Sequence, residues 1–461
     1  MYIRVDKCAT FGIKKQSTRS IQFQPKLIID CDLIPAVKTG DSFRYLGRYF
    51  DFNMSNATHK SELSEILISV LTEVDRLPLH PKNKIALYNK YLLSKLSWHF
   101  TVASIPKTWV CEHLDNVVAQ YIRKWLDLPI SATLSNIILP QNKFGLNIQL
   151  PSTKFIQCQT VLRNALKNSQ NEDIKKLWKS TSNQTNIQYD IYKNTKEVLK
   201  AIQYEHEDRL KNHLVSQGSF FSNIVETSLS SVNSIWSLAQ RNLPKNIFNF
   251  SIRYINNSLP NRTNLTKWGI SPTSDCSFCL QPESLLHVVA GCTKYLEDGR
   301  YTWRHDSILH SLASSFQSIK NSSLYVDIPG FTSPCALTGD SLRPDLLLVT
   351  RDKCLYILEL TVGFESNLRN NSHRKQLKYK TLIREQQKNF NDVRFVNLSM
   401  SALGVFDHLT KSFLEMLQDL EFDVATRNYI IRRTMTIAIR TTYYIFCRRN
   451  KDWDSPELLV F

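Results

Sequence analysis

The spacing of apolar residues changes along the chain, and the changes separate strand-forming from helix-forming regions. Over residues 1–60, the short apolar runs LIID and FRYLGRYFDF flank the turn-like segment VKTGDS, which predicts short β segments. From Ser61 to about Lys167 the spacing becomes helical: Leu63, Ile66, Leu67, Val70, Leu71 and Val74 share one helix face, and Leu92, Leu96 and Phe100 share another. Pro78, Pro81, Pro106, Pro129, Pro140 and Pro151 divide this region into several helices. Residues 168–196, rich in Asn, Gln, Ser, Thr and Lys, read as a polar linker in which Leu177 and Trp178 offer a docking point. A second helical region, Val198 to Ile255, leads into a group of cysteines. Helical residues near Ile308 to Ile319 follow, then an α/β pattern from Tyr325 to Leu420 and a basic helix. The chain thus predicts a multidomain α+β protein with segments 1–60, 61–167, 168–196, 197–300, 301–425 and 426–461, without internal repeats or low-complexity tracts.

Length and composition narrow this picture. With 461 residues and 42% hydrophobic content, the chain has enough material for roughly two to four domains with cores of their own, which excludes a disordered tail. No apolar run reaches the ~18 residues of a membrane span, since Thr434 to Cys447 is short and contains Arg440, and the first residues lack the apolar core of a signal peptide. An intracellular protein is expected. The net charge of +17 suits a polyanionic partner, nucleic acid before an anionic membrane. Residues 367–390 and 427–451 alone carry +13 of that charge, with Tyr379 and Tyr443 to Phe446 interleaved among the basic residues. Each stretch is either a solvated helix face or a phosphate-binding surface, and Arg448 and Arg449 are expected phosphate contacts.

Ten cysteines are too few for a disulfide scaffold, and only Cys276, Cys279 and Cys292 cluster. With His287 they form C-x2-C-x7-H-x4-C. Two thiolates on a tight turn, followed by a histidine and a cysteine about one helical turn further on, can close a tetrahedral shell around Zn²⁺. All four positions are then protein ligands, so the site is structural and organises a loop that has no core of its own. The alternative is three free cysteines beside a surface histidine.

A different chemistry is suggested by RPDLLLVTRDKCLYILELTV, Arg343 to Val362. Asp345 opens the apolar strand LLLV, and Glu359 interrupts the strand LYILELTV. A three-residue loop at 351–353 pairs Asp345 with Glu359 on one face, whereas a four-residue loop separates them. Carboxylates in such positions are costly to bury and repel each other unless a divalent cation bridges them, and an all-oxygen ligand set favours Mg²⁺ or Mn²⁺. Downstream, Lys375, Lys378 and Tyr379 stand at i, i+3 and i+4, on one face of a helix. A lysine beside a metal-bound water can offset charge developing on a phosphorane. Acid, acid and lysine together make a nuclease constellation. Taken singly, Asp345 reads as a turn cap, Glu359 as an exposed strand position, and the lysines as phosphate contacts.

Three blocks in order resemble the C-terminal half of a non-LTR retrotransposon polyprotein carrying a restriction-like endonuclease, similar to ribosomal-DNA-targeting type-1 elements. Lys7-Cys8-Ala9-Thr10-Phe11 and Phe43-Arg44-Tyr45-Leu46-Gly47 look like the end of a reverse-transcriptase palm and its primer-grip hairpin, with Lys143-Phe144-Gly145-Leu146-Asn147 a family-like turn in the thumb that follows. Ile255-Asn256-Asn257-Ser258-Leu259-Pro260, Trp268-Gly269 and the cysteine knuckle look like the linker that grips RNA and target DNA. Arg343-Pro344-Asp345, Glu359 and Lys375-x-x-Lys378-Tyr379 match the endonuclease pattern.

The resemblance implies a palm remnant (1–60), a helical thumb (61–167), a polar linker (168–196), a helical linker with a zinc knuckle (197–300), an α/β restriction-like endonuclease (301–425) and a basic C-terminal helix (426–461). It implies metal-dependent nicking of double-stranded target DNA in the nucleus, leaving a 3′-hydroxyl that primes reverse transcription of element RNA. In that scheme Asp345 and Glu359 hold Mg²⁺, Lys375 or Lys378 steadies the phosphate, and Tyr379 supports the helix face or the DNA. Lys375 is preferred for its expected place near the start of its helix. The aromatic-x-Asp-Asp of the family's polymerase site is absent, so the chain reads as a truncated remnant or gene-model fragment that does not copy RNA by itself. Thr361 stands where ordinary restriction enzymes carry their lysine, so the helix must supply it. The alternatives are a non-catalytic zinc-knuckle nucleic-acid-binding remnant and a domesticated structural partner.

Overall fold

Three separate two-stranded hairpins open the chain: β1 (Gly12–Gln16) with β2 (Arg19–Phe23), β3 (Ile28–Ile29) with β4 (Asp32–Leu33), and β5 (Phe43–Tyr45) with β6 (Arg48–Phe50). The last is closed by Leu46 and Gly47, both at positive φ, as a tight two-residue turn requires. A side chain at Gly47 would also meet the indole of Trp98, 2.7 Å away. The computed structural model describes residues 4–29, 31–103, 105–181, 193–212, 217–225, 227–339 and 342–458. It divides into two units, residues 1–125 with 149–202 and residues 126–148 with 203–461, a coarser division than the six segments expected.

The first unit is a helical pack behind the hairpins. Helix α1 (Ala57–Arg76) buries the expected stripe of Leu63, Leu67, Val70, Leu71 and Val74. Leu92 is buried too, as are Leu96 and Phe100 of α2 (Leu93–Val102). Each such side chain contributes on the order of 1.5–3 kcal/mol of burial. Helix α3 (Pro151–Lys167) starts with proline at its first turn, where the ring's fixed φ suits the helix, and its Phe155 meets Phe100 edge-on at 5.6 Å. Part of the expected polar linker is helical, over Glu172–Thr181, because Asn171 caps it by accepting from the amides of Asp173 and Ile174 at 2.8 and 3.4 Å. Trp178 lies under the Arg163 guanidinium at 5.7 Å, and residues 182–192 of the linker lie outside the described residues.

The second unit is built on helices α4 (Asn233–Arg241), α5 (Lys245–Ile255) and α6 (Arg300–Phe316), followed by strands β7 (Ser323–Val326), β8 (Leu346–Val349) and β9 (Cys354–Gly363). Helices α7 (Leu368–Lys378) and α8 (Lys380–Gln386), strand β10 (Asp392–Ser401), and helices α9 (Lys411–Asp419) and α10 (Val424–Cys447) complete it. The sheet order is β10-β9-β8-β7, with β10 parallel to β9 and the other pairs antiparallel. Alternate residues point to opposite faces of a strand. Leu346, Leu348, Leu358, Leu360 and Leu398 therefore share a core with Trp236, Ile308, Leu312, Met435 and Ile439 on the α4, α6 and α10 side, while Leu347, Leu355, Ile357 and Val393 pack with Tyr379 and Leu382 on the α7–α8 side. Helices and a mixed sheet together make the chain α+β.

Candidate functional site: an acidic pair beside a lysine helix

The loop between β8 and β9 decides where the two carboxylates fall. Val349 pairs with Leu355, and the Thr350 amide donates to Cys354 O at 3.0 Å, which leaves a three-residue loop with Lys353 at positive φ. Extending this register sets Asp345 opposite Glu359, on the face that α7 and α8 cover. The backbones lock the pair: Asp345 N donates to Glu359 Oε2 at 3.1 Å, and Leu360 N donates to Asp345 Oδ2 at 2.7 Å.

Lys375 reaches the same point from α7. Its ammonium lies 3.0 Å from Glu359 Oε1 and 3.6 Å from Asp345 Oδ2 and donates to Leu360 O at 2.5 Å. The residue sits in the last turn of α7, not near its start as expected, because the helix already begins at Leu368. Lys378 reaches Glu359 only through Tyr379: its ammonium lies 4.7 Å above the Tyr379 ring and donates to Tyr379 Oη at 3.0 Å. Tyr379 is fully buried, with Oη 2.9 Å from Arg343 O and 3.3 Å from Glu359 Oε1, so it supports the helix face and is not a surface for DNA.

Sequence reasoning missed His305. From α6 its Nε2 lies 3.3 Å from Asp345 Oδ2, while Nδ1 meets Asp306 Oδ1 at 3.0 Å. A lone histidine on a helix carries no periodic signal, and only the packing of α6 against the sheet brings it here.

Electrostatics divide the two acids. Burial raises the pKa of Asp345, but the charges of His305 and Lys375 and the Leu360 amide outweigh it and hold the carboxyl well below the usual range. Burial and then the Asp345 charge push Glu359 up, against the pull of Lys375. Burial opposes the charging of His305, yet the Asp345 and Asp306 carboxylates push its imidazole up to about 9. The two carboxylates, with mismatched proton affinities and each accepting from a backbone amide, offer oxygen donors of the kind a hard divalent cation takes.

Cys276, Cys279, His287 and Cys292 are brought together as a second cluster, their ligand atoms all within 4.8 Å of one another. Cys279 Sγ lies 3.3 Å from His287 Nε2 and 3.8 Å from Cys292 Sγ, close to the edges of a tetrahedron with zinc-length bonds. A tight turn with Leu280 at positive φ presents the first two cysteines, and a π-helical segment over His287–Gly291 brings the histidine and the last cysteine onto one side. The Tyr301 hydroxyl braces this turn by accepting from Cys292 N at 3.1 Å and donating to His287 O at 3.1 Å. Burial, reinforced by Cys276 and Cys279, pushes the Cys292 thiol up to about 12, the penalty that a bound cation removes. The four residues could hold a structural Zn²⁺.

The basic stretches fare differently. Arg369, Arg374, Lys378, Lys380, Arg384 and Lys388 are exposed. Arg448 and Arg449, the expected phosphate contacts, already have partners within the chain: Arg448 covers the Tyr444 ring at 5.4 Å, and Arg449 donates to Pro260 O at 2.9 Å and lies 3.5 Å from the fully buried Glu283. Tyr443 is held edge-on against Phe250 at 5.3 Å, and Phe446 is in the core, so these rings pack instead of stacking on bases.

No family model matches the chain. It is 21% identical over 432 residues to the retrovirus-related Pol polyprotein from the type-2 retrotransposable element R2DM of Drosophila melanogaster, an alignment covering 88% of this chain and 38% of that polyprotein. This distant similarity supports a non-LTR retrotransposon origin. That relative carries a type-2 name where type 1 was expected, and what carries over is the broader origin. Among the described residues no helix is long and apolar enough to cross a membrane.

Proposed function

We propose that this retrotransposon-derived chain is a metal-dependent DNA endonuclease that nicks double-stranded target DNA in the nucleus, with element RNA as its second partner. The observation that carries the reading is the convergence of Asp345, just before β8, Glu359 of β9 and Lys375 of α7 on one partly buried point. The reaction is hydrolysis. A water oxygen bonds to phosphorus, the P–O3′ bond breaks, and the leaving oxygen takes a proton to become the 3′-hydroxyl beside a 5′-phosphate. Mg²⁺ or Mn²⁺ held by Asp345 and Glu359 would polarise a phosphoryl oxygen and lower the pKa of the attacking water.

The remaining contributions come from the chain itself. Lys375, 3.0 Å from Glu359, offers a positive charge next to the carboxylates, where negative charge grows on the non-bridging oxygens. Tyr379 positions Glu359 and the Lys378 ammonium from below, and His305 fixes Asp345 from the other side. The zinc knuckle holds the linker, with Arg449 tying it to the end of α10 through Pro260 and Glu283. The reading of residues 1–60 and 61–167 as palm remnant and thumb belongs to the same proposal, with RNA and DNA binding as their contribution.

The deciding experiment incubates the full chain with supercoiled DNA in Mg²⁺ or in EDTA, beside Asp345→Ala. Nicking in Mg²⁺ alone that is lost in the variant, with DNA binding nearly unchanged, is expected, because a ligand of a catalytic cation acts mainly in the transition state. Equal nicking by both chains would move the nuclease elsewhere. Binding without nicking by the parent would favour the non-catalytic zinc-knuckle remnant.

A further inference from the structure

Three polar side chains of the first unit meet inside its helical pack, far in sequence from both clusters above. His59 and Glu62 stand at i and i+3 on α1 and so share a face, and α2 brings His99 to the same point. His59 is 1% exposed and His99 6%. We propose that His59, Glu62 and His99 form a second metal site, one that takes Zn²⁺ or another borderline divalent ion in preference to Mg²⁺.

The distances carry the argument. His59 Nε2 and His99 Nδ1 are 3.3 Å apart, and the ligand atoms of all three residues lie within 4.8 Å of one another. Nitrogen ligands at roughly 2.0–2.1 Å from a tetrahedral zinc are separated by about 3.3 Å, so the imidazole pair is already spaced as two ligands of one ion. Glu62 Oε2 lies 3.9 Å from His99 Nδ1, which makes it the third ligand after a small adjustment.

Hydrogen bonding within the protein does not complete the cluster. One N–H···N bond can satisfy the imidazole contact, but Glu62 Oε2 and His59 Nδ1 remain buried without hydrogen-bond partners. An unpartnered carboxylate oxygen in a helical interior is costly, and a cation beside it removes that cost. The other oxygen of Glu62 is engaged, 3.4 Å from the Tyr49 hydroxyl and 3.9 Å from the half-exposed Arg44 guanidinium, and so holds the carboxylate toward the rings. Two imidazoles and one carboxylate suit zinc or a neighbouring transition metal, while Mg²⁺ prefers oxygen throughout. Three protein ligands leave the fourth position of a tetrahedron for water or a solute. A bound ion would join α1 to α2 and, through Tyr49, to the β5–β6 hairpin.

The test is a metal count on the full chain, dialysed against zinc chloride and passed over a desalting column. Two equivalents of zinc are expected, one for the cysteine knuckle and one for this site, and His99→Asn and Glu62→Gln should each retain one. Circular dichroism identifies a variant that has not folded. Replacing zinc by Co²⁺ in the unmutated chain tests the site without substitutions. The first equivalent should show the thiolate charge-transfer absorption of a Cys₃His site, and the second should add weaker visible bands without it. A single equivalent in the parent chain that shows thiolate absorption as Co²⁺, two equivalents in folded His99→Asn, or thiolate absorption on both equivalents would each overturn the proposal.

Discussion

Residues 367–390 and 427–451 look alike in sequence, each with seven basic residues in about 25, yet they do opposite things in the fold. In the first, every basic residue except Lys375 is exposed, on or just beyond α7 and α8, and only Leu368 and Ser372 of α7 are buried. In the second, eleven residues of α10, including Ile430, Met435, Ile439 and Phe446, are buried, and the arginines between them run along the edges of a core helix. Charge density therefore reports the electric field of a segment, while the apolar residues between the charges report whether its side chains are available. A lysine in the first stretch can meet a ligand; an arginine such as Arg449 in the second already meets Glu283.

The largest effect that can break this contrast belongs to Lys375. With its ammonium 3.0 Å from Glu359 and 3.6 Å from Asp345, Lys375→Ala should slow nicking by about 10²–10³-fold, the loss typical of one electrostatic stabiliser. Lys378→Ala, whose ammonium rests on Tyr379, should change the rate several-fold at most and act mainly on binding. Single-turnover rates at saturating DNA separate the two, and equal losses would mean that neither lysine is set apart by its contacts.

In the other stretch the corresponding effect is on folding. Arg449→Met removes one of the two arginines whose charges favour the fully buried Glu283 carboxylate, leaving it the Arg262 amide at 3.0 Å and the Arg262 charge. Breaking a buried pair in this way should destabilise the second unit by ~3 kcal/mol, read as a lower urea midpoint at unchanged slope. Glu283→Gln in the same chain should recover part of the loss. If Arg449→Met instead weakens DNA binding with no change in the midpoint, the residue belongs with the exposed stretch after all.

The acidic pair was legible only as one of two registers, because five residues separate LLLV from LYILELTV; the bond from Thr350 N to Cys354 O makes the loop three residues long and faces Asp345 with Glu359. The cysteine spacing was equally readable, since a π-helical turn converts the gap between His287 and Cys292 into one side of a shell. What stayed hidden depends on tertiary packing. His305 comes from a helix forty residues upstream of Asp345, and His59, Glu62 and His99 meet only where α1 lies against α2. Aromatic residues between basic ones are ambiguous for a related reason: Tyr379 and Phe446 have the same sequence surroundings whether they face a ligand or fill a core, and here they fill cores. The helix at Glu172–Thr181 escaped notice because the Asn171 that reads as loop is its cap.

A pH effect sharpens how the exposed stretch is anchored. Glu365, in the short turn before α7, is buried and accepts from the Tyr254 hydroxyl at 2.9 Å, and burial pushes its carboxyl up to about 7. Between the ordinary glutamate value and about 7, the folded chain keeps a proton that the unfolded chain has lost. Its contribution is thus fully present below the unfolded value and is lost as pH rises through the folded one, on the order of 3 kcal/mol across the window. Glu365→Gln cannot ionise. Its urea midpoint, measured relative to the parent, should rise from about pH 5 to about pH 8. A difference that stays flat would show that Glu365 is already charged where it sits.

The smallest effect tests the contrast most directly, because it reads phosphate contacts one charge at a time. Counterions released by each neutralised phosphate steepen the fall of affinity with salt by roughly 0.9 in the log–log slope on duplex DNA. Arg384 and Lys388 are exposed on and just beyond α8, so Arg384→Gln and Lys388→Gln should each flatten the slope by up to that amount while weakening all sequences alike. Arg448 lies over the Tyr444 ring in the half-buried stretch, and Arg448→Gln should leave the slope nearly unchanged. Titrations of one duplex at four or five salt concentrations suffice. If Arg448→Gln flattens the slope as much as Lys388→Gln, packing against an aromatic ring has not withdrawn that charge from DNA, and the two basic stretches are one surface.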